Sequence, residues 1–390
     1  MKAISLEVAF FVPMAGIYIH IPFCKQQCTY CDFHFSTTFE SYRSQMVNTI
    51  ASELHTRIDY LEGKPVESIY FGGGTPSILN EQELSLLLKE IRANYQVNSE
   101  AEITIETNPD DITQEKLTTW KNVGVNRLSI GLQSFKAEDL EWMNRAHTAD
   151  ESRNCVALAK AHNFQNLTVD LMYGLPNLSN DEWKNHILQV IEMGVTHISA
   201  YCLTVEEKTV LNKWVKEGRI HPASENQQSE QFLLLVEMLE KHGFEQYEIS
   251  NFCRSGHEAV HNSNYWKGEW YLGVGPSAHS FNGTSRSWNI ANNQKYMQRI
   301  AENEAFFETE NLSNRDQYNE LLLTGLRTKY GVSLKKLVAL HSIPESTELK
   351  ISEFKSAGWM KEIDAVLVLT KSGRLKADYI AAELFLDANE

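Results

Sequence analysis

The sequence contains no run of about 18 uncharged apolar residues, which a membrane-spanning helix would need. Its most apolar segment, ISLEVAFFVPMAGIYIHIPF, is interrupted by Glu7, Pro13 and His20. The sequence also lacks a low-complexity tract, a heptad run and an internal repeat. These absences exclude a coiled coil and a repeat array, and a content of 42% hydrophobic residues favours a globular chain.

Positive charge is also scarce. The 36 Lys and Arg residues stand against 51 Asp and Glu residues, so the formal net charge is -15. Binding to duplex nucleic acid or to anionic lipid depends on clustered Lys and Arg. We therefore expect no nucleic-acid partner, and no membrane contact beyond a transient one made through a partner protein.

Cysteine is rare, since six residues in 390 are too few for a disulfide scaffold. Three of the six, Cys24, Cys28 and Cys31, crowd into the stretch CKQQCTYC. An odd group of reduced thiols is typical of a cytosolic compartment, so we expect a cytoplasmic location. Cys155 and Cys202 lie in apolar runs and are expected to be inert core residues.

The first 13 residues are predicted to be a leader or a mis-assigned start, with Met14 as a second start. The alternative is a secretory signal, with Lys2 before the apolar stretch and VPMAG as a poor cleavage site.

Residues 14–240 alternate between short β-rich runs and longer amphipathic helices, the pattern of parallel βαβ units. Asn80 with Glu83, and Ser179 with Glu182, predict the starts of helices over 80–95 and 180–193. Six such units are fewer than the eight of a closed barrel, so we predict an open, partial (β/α)6 barrel of the TIM type. The six predicted strands end at or near Ile21, Phe71, Thr107, Gln133, Asp170 and Leu203.

Two further regions follow the predicted barrel. Residues 241–310 are expected to be an irregular aromatic extension, since HNSNYWKGEWYLGVGPSAHSF holds two Trp, two Tyr and one Phe. In residues 311–390 two helices, and then a helix, a β-hairpin and a helix, resemble a small winged-helix module. Such modules often bind DNA, so a zinc-stabilised DNA-binding regulator is one hypothesis, which the net acidity of the chain opposes.

Polar residues follow the predicted strands at the ends that converge in a parallel barrel. The cysteines follow the first strand, GGGTP follows the second, and Glu106, Gln133 and Asp170 lie at or near the ends of later strands. Active sites of parallel barrels lie at this end of the strands. We therefore predict that these residues line one site.

Three thiolates this close together suit zinc or an iron–sulfur cluster. A structural zinc site needs a fourth protein ligand, but the nearby candidates His20, His34 and Asp32 have no zinc-ribbon spacing. A cluster held by three cysteines leaves one iron open to a small molecule. The sequence thus favours the cluster, with zinc and three structural thiols as alternatives.

The cysteine spacing and the glycine tract resemble the radical SAM family. The resemblance implies that Cys24, Cys28 and Cys31 hold a 4Fe–4S cluster whose fourth iron binds S-adenosylmethionine (SAM). It also implies that the glycine backbone approaches the methionine part of SAM, where a Cβ would obstruct it. Motif matching within the branch of the oxygen-independent coproporphyrinogen dehydrogenases implies SAM contacts for Tyr18, Tyr30, Gly73, Gly74, Thr75, Glu106, Gln133, Arg145 and Asp170.

Within that branch, the stretches CTYCDF and HNSNYW resemble the haem chaperones rather than the decarboxylating enzymes, which have a cysteine where this chain has Phe33. The resemblance associates HNxxYW with haem. Imidazole is a good axial ligand of haem iron, so His261 is the expected ligand, with His257 and Cys253 as alternatives.

The resemblance therefore implies a protein that binds haem and transfers it to an acceptor protein, and it leaves room for an electron donor. No catalytic residue is assigned, and cleavage of SAM is left open. The alternative function is oxidative decarboxylation of coproporphyrinogen III, with the same cluster and SAM.

Overall fold

The computed structural model describes residues 14–387. The expectations for residues 1–13 lie outside this range. The strands, in chain order, are β1 (Ala15–Ile21), β2 (Val66–Gly73), β3 (Val97–Thr107), β4 (Arg127–Gln133), β5 (Asn166–Tyr173), β6 (His197–Cys202), β7 (Glu245–Glu248), β8 (Asn251–Cys253), β9 (Trp270–Val274), β10 (His279–Phe281), β11 (Ser285–Asn289), β12 (Phe307–Asn311), β13 (Val332–Ser333), β14 (Met360–Ile363) and β15 (Val366–Leu369).

Helices connect most of these strands. In chain order they are α1 (Arg43–Thr56), α2 (Glu81–Asn94), α3 (Gln114–Val123), α4 (Ala137–Trp142), α5 (Ala149–Ala161), α6 (Asn180–Glu192), α7 (Val210–Lys216), α8 (Glu225–Lys241), α9 (Val260–Lys267), α10 (Asn293–Ala301), α11 (Asn314–Leu326), α12 (Leu334–Leu340), α13 (Glu345–Ser356), α14 (Lys371–Arg374) and α15 (Ala377–Glu383).

The two predicted capping boxes begin α2 and α6. The backbone N–H of Glu83 donates to Asn80 Oδ1 at 2.9 Å, and Glu83 Oε2 accepts from the backbone N–H of Asn80. Ser179 and Glu182 make the same reciprocal pair. Each pair satisfies backbone donors that a helix leaves free in its first turn, so the local sequence fixes where these helices begin.

The central sheet confirms the six predicted strands. Strands β1 to β6 lie side by side in chain order, and each adjacent pair is parallel. Strand β9 extends the sheet beside β1, and β8 pairs antiparallel with β6. The twelve strands have the order β12-β11-β10-β9-β1-β2-β3-β4-β5-β6-β8-β7. No pairing of β12 with β7 closes this sheet within the part of the chain that the structure describes, so the barrel is open.

The region 241–310 differs from the expected irregular extension. It contributes strands β7 to β12 and helices α9 and α10, so it widens the sheet at both edges. Its strands are three to five residues long, and glycines and polar residues interrupt them. Strands this short show too few alternations for a two-residue period to be seen in the sequence.

The last elements surround a hydrophobic cluster of their own, which includes Tyr318, Leu337, Phe354 and Leu367. The strand order β13-β15-β14 forms a small antiparallel sheet, and helices α11 to α15 pack around it. The predicted helices and the hairpin of this region are all present. Across residues 14–387, no helix combines the length and the apolar composition that crossing a bilayer requires.

Candidate functional site

The glycine tract at the end of β2 holds the cysteine loop in place. The backbone N–H of Gly74 donates to Ile21 O at 2.8 Å, and that of Thr75 donates to Phe23 O at 2.6 Å. A Cβ on Gly74 would lie 2.4 Å from Phe23 O, which is far inside contact distance. Glycine is therefore required here for close packing against the residue that precedes Cys24.

The loop borders a cavity of about 530 Å³ at the carboxyl ends of the strands. All three cysteines of CKQQCTYC line it, as predicted from their place after β1. The cavity also brings together all but one of the residues expected to contact SAM, which are Tyr30, Gly73, Gly74, Thr75, Glu106, Gln133, Arg145 and Asp170.

Arg145 connects the cysteine loop to the sheet. Its Nη1 lies 3.6 Å from Cys28 Sγ, and its Nη2 donates to Asn108 Oδ1 at 2.5 Å and to Gly131 O at 2.8 Å. The guanidinium thus lies beside the cysteine loop. Burial raises the pKa of the Cys24 thiol to about 11 and that of the Cys31 thiol to about 12.

Three neighbouring cysteines are the donor set of an iron–sulfur cluster. Among residues 14–387, no group of three or more His, Cys, Asp or Glu side chains is placed to hold one metal ion between them. A cubane instead takes each thiolate at a different iron, and its charge ionises the thiols that burial keeps protonated. The buried Arg145 Nε and Thr104 Oγ1 have no hydrogen-bond partner on the cavity wall, as expected of groups awaiting a polar ligand. The residues present thus fit a cluster with an adjacent polar cofactor.

Two partly buried carboxyl groups, Glu106 and Asp170, lie on the cavity wall. Tyr70 donates its hydroxyl to Glu106 Oε1 at 2.8 Å, and Ser129 Oγ lies 3.4 Å from Asp170 Oδ2. Burial raises the pKa of Glu106 to about 7 and that of Asp170 to about 6. A cationic ligand in the cavity would favour the ionised form of both groups. The pair therefore suits a ligand with an ammonium or sulfonium group.

Gln133 ends β4 in an unusual backbone conformation. Its φ is +67°, in a backbone region that residues other than glycine rarely adopt. The residue lines the cavity beside Arg145. Such strained residues cluster at binding sites, where the surrounding structure holds them in place.

Tyr18 and His261 lie behind the cavity wall rather than on it. The Tyr18 ring stacks on Tyr70 with centroids 6.1 Å apart, and its hydroxyl lies 3.2 Å from His20 Nδ1. His261 is 3% exposed. Its Nδ1 is 2.8 Å from Ser68 Oγ and its Nε2 is 3.1 Å from the Tyr265 hydroxyl, so both ring nitrogens have partners.

The two alternatives to His261 also lie away from the cavity lining. Cys253 is a buried residue of β8, while His257 precedes α9 and is partly exposed. The structure thus does not bring any of the three expected haem ligands to the cysteine cavity. Asn262 of the same HNxxYW stretch does line it.

Sequence reasoning missed a second set of lining residues deeper in the barrel. A strand points alternate side chains to the same face, so counting back in steps of two from Glu106, Gln133 and Asp170 would have found several of them. Cys202, expected to be an inert core residue, also lines the cavity and is only partly buried. The missed residues include Thr104, Arg127, Ser129, Thr168, His197, Ser199, Tyr201 and Asn251.

Comparisons with known proteins identify the family of the chain. The profile of the Radical SAM superfamily matches residues 18–190. The "Heme chaperone HemW" of Bacillus subtilis is 33% identical over 366 residues, covering 93% of this chain and 97% of the relative. The protein of the same name from Escherichia coli is 34% identical over 271 residues, covering 69% of this chain and 70% of the relative.

Among solved structures, the Escherichia coli coproporphyrinogen III oxidase HemN, described as a radical SAM enzyme, superposes with a TM-score of 0.83. It is 22% identical and covers 96% of this chain and 90% of its own, so the likeness establishes the fold. The chain belongs to the radical SAM superfamily, in the family of the HemW-type haem chaperones.

Proposed function

We propose that this protein binds haem and transfers it to acceptor proteins, on a radical SAM scaffold that carries a 4Fe–4S cluster and SAM. Relatives named haem chaperones cover nearly the whole chain, which supports the proposal. The cofactor assignment is supported by one observation: Cys24, Cys28 and Cys31 line the same cavity as Glu106 and Asp170.

In this proposal Cys24, Cys28 and Cys31 hold the cluster, and Arg145 positions Cys28 through the contact of its Nη1 with Sγ at 3.6 Å. Glu106 and Asp170 accept hydrogen bonds from ribose hydroxyls or from the ammonium group of SAM. Tyr30, Gly73, Gly74, Thr75 and Gln133 complete the SAM site, while Tyr18 acts from behind Tyr70. The bound cofactors supply electron-transfer and radical chemistry, and the chain orients them and excludes water.

The haem assignment is tested by titrating the anaerobically purified protein with haem. We expect a saturable shift of the Soret band. His261→Ala tests the ligand assignment. Ligation by His261 would require its imidazole to leave Ser68 and Tyr265. An unchanged spectrum and affinity in His261→Ala would exclude His261 as the axial ligand, because the variant has no imidazole at this position.

The cofactor assignment has its own test. Anaerobic reconstitution with iron and sulfide should give the Mössbauer spectrum of a cubane, and added SAM should alter the spectrum of the iron not bound by cysteine. Cys28→Ser should lose the cluster, whereas Cys155→Ser, which changes a buried thiol outside the cavity, should keep it. Zinc without iron and sulfide would contradict the proposal and favour the zinc-stabilised regulator.

Oxidative decarboxylation of coproporphyrinogen III is the second candidate function, and the fold shared with HemN is what favours it. Against it, the position of the extra cysteine expected in such enzymes holds Phe33, whose side chain is 68% exposed at the edge of the cavity. An anaerobic assay with reductant, SAM and coproporphyrinogen III separates the two. Formation of protoporphyrinogen IX would overturn our preference.

Further parts of the proposal concern organisation and partners. We infer a barrel domain over 14–240, an extension over 241–310 and a winged-helix-like domain over 311–390, supported by the separate hydrophobic cluster of the last elements. The order helix, strand, two helices and two strands from α11 to β15 supports the winged-helix comparison. A haem-accepting protein, an electron donor and a cytoplasmic location complete the proposal.

A further inference from the structure

A second cleft, of about 700 Å³, lies between the strands that follow HNxxYW and the C-terminal helices. One wall comes from the end of α9 and from β9, β10 and β11, and the other from α11 and α12. Four aromatic side chains line the first wall and leucines line the second. They are Tyr265, Trp266, Tyr271 and Phe281, and Leu321, Leu323 and Leu340.

The aromatic wall is held rigidly. Tyr265 and Tyr271 meet edge to face with centroids 4.4 Å apart. Trp266 donates its Nε1–H to Asn262 Oδ1 at 2.5 Å, and Arg327 Cζ lies 5.1 Å from the Trp266 ring centroid. The wall is thus a pre-ordered apolar surface, which lowers the entropic cost of binding a flat ligand.

The cleft is cationic in an acidic protein. Lys267, Arg286, Arg327 and Lys336 line it, and Glu320 is the only acidic residue among its lining. The chain as a whole has a formal charge of -15, so this concentration of positive charge is local. The cleft therefore favours an anionic ligand.

Two of these cations face the aromatic wall differently. Within residues 14–387, Lys336 forms no ion pair, whereas Arg286 pairs with Glu320, its Nε lying 2.6 Å from Oε1. The Arg286 Cζ lies 5.4 Å from the Phe281 ring centroid, so the guanidinium stands beside the aromatic wall. Arg327 is already engaged by Glu248 and Asp378.

We propose that this cleft is the haem site, with the macrocycle against Tyr265, Trp266, Tyr271 and Phe281 and its two carboxylates on Arg286 and Lys336. The inference rests on the proposed haem-binding function and locates its binding site in the fold. Haem combines a flat apolar face with two carboxylates at one edge, which matches an aromatic wall beside Lys336 and the Arg286 guanidinium.

In this placement, the residues of HNxxYW line two different cavities. Asn262 faces the cysteine cavity, while Tyr265 and Trp266 face the cleft. His261 lies between Ser68 and Tyr265 and reaches the cleft only through the Tyr265 hydroxyl. The haem and the cluster would therefore occupy separate cavities joined by one short helix.

The test compares haem affinities of full-length variants by Soret titration. The double variant Arg286→Gln/Lys336→Gln should bind haem roughly tenfold or more weakly, since each charge-assisted hydrogen bond contributes strongly. Its control, Arg315→Gln/Lys335→Gln, removes the same charges from exposed or partly exposed positions outside the cleft and should bind within about twofold of the unchanged protein. Equal affinities of the two double variants would overturn the proposal.

A second pair of variants fills the space instead of changing charge. Ala339→Trp places a bulky ring in the cleft and should block haem, whereas Val338→Trp alters a 58% exposed neighbour outside the lining and should not. Metal-free protoporphyrin IX, with the same carboxylates, should lose affinity in the double variant by the same factor as haem. No loss would show that the cations do not contact the carboxylates.

The outcomes separate this inference from the proposed function. If the unchanged protein shows no saturable Soret shift, the haem-binding function fails and the inference fails with it. If it binds haem and the charge variant binds as tightly as its control, the assignment of haem to the cleft is wrong while the haem-binding function stands.

Discussion

Glu106 is a partly buried carboxyl group whose charge depends on pH near neutrality. Burial raises its pKa from 4.5 to about 7, and the nearby Asp170 is shifted in the same direction. The folded protein therefore holds a proton that the unfolded chain releases. As pH rises from about 4.5 to 7, this difference lowers the stability of the fold, and above pH 7 the loss is complete.

Glu106→Gln removes this pH-dependent loss of stability, because an amide does not ionise. The amide oxygen can still accept the hydrogen bond of Tyr70. In cluster-free protein we expect the variant to gain up to roughly 3 kcal/mol in the free energy of unfolding at pH 8, and little at pH 4. Urea unfolding at the two pH values measures the difference. The exposed Glu100→Gln is the control, and an equal gain at both pH values would contradict the prediction.

Gly74 tests the fit between the glycine tract and the cysteine loop. A Cβ there would lie 2.4 Å from Phe23 O, a backbone atom that cannot move without carrying Cys24 with it. We expect Gly74→Ala to lower the free energy of unfolding by about 1–3 kcal/mol and to reduce the cluster content after reconstitution.

Gly218→Ala is the matched control for Gly74→Ala. An added Cβ on Gly218 meets nothing within 4 Å, so the only strain expected in that variant comes from its positive φ of +69°. Iron and sulfide analysis with urea unfolding measures both variants. A Gly74→Ala protein with full cluster content would show that the loop tolerates displacement.

The residues of the cavity were predictable to different degrees. The cysteines and the residues at the strand ends could be found because parallel strands place their carboxyl ends together. The position of His261 could not, since its burial depends on Ser68 of β2, which is distant in sequence. Arg127 and His197 line the cavity because alternate side chains of a strand point to the same face. This alternation is present in the sequence, but the polar residues at the strand ends make it hard to recognise.

At the scale of elements, predictability follows length and local chemistry. The long parallel strands and the capped helices α2 and α6 carry their own signals, and they lie where the sequence places them. The short strands β7 to β12 form because the edges of a large sheet offer partners to them. Their pairing is a property of the tertiary structure, so the sequence alone suggested an irregular segment.

A buried carboxylate adds to the strand pairing that joins the extension to the barrel. Glu53 of α1 accepts from the backbone N–H of Gly275 and from Asn289 Nδ2, both at 2.8 Å, and from the Tyr296 hydroxyl. Arg57 Nη1 lies 3.6 Å from its Oε1. Glu53 is completely buried, so its charge depends on these partners.

Glu53→Ala should therefore destabilise the protein strongly. The change leaves a buried guanidinium and several buried donors unpaired, and we expect a loss of about 3–5 kcal/mol in the free energy of unfolding. Urea unfolding measures it, with Ser52→Ala on the exposed face of the same helix as control. A loss no larger than that of the control would show that the extension is held by other contacts.

At the scale of the whole molecule, the cavity and the cleft lie on either side of α9. Asn262 lines the cavity and accepts the hydrogen bond of Trp266, which lines the cleft. The cleft also needs the C-terminal helices for its second wall. Its shape therefore depends on how firmly those helices are attached to the sheet.

Arg327 contributes a buried ion pair to that attachment. It follows α11 and pairs with Glu248 of β7 and Asp378 of α15, each at 3.0 Å. Glu248 has a side chain that is 1% exposed, so removal of the guanidinium leaves its buried charge with only neutral partners. Such a loss is costly because a buried carboxylate cannot regain its hydration.

We therefore expect Arg327→Ala to lower the free energy of unfolding by about 3 kcal/mol and to expose the chain to protease near residues 311–316, where the extension meets α11. Urea unfolding and limited proteolysis measure the two effects. Arg315→Ala is the control, because its pair with Asp316 is a partly exposed contact of 3.5 Å between adjacent residues. If both variants have the same urea midpoint and the same digestion pattern, contacts other than the Arg327 ion pairs, such as the pair of Lys329 with Glu245, hold the C-terminal helices to the sheet.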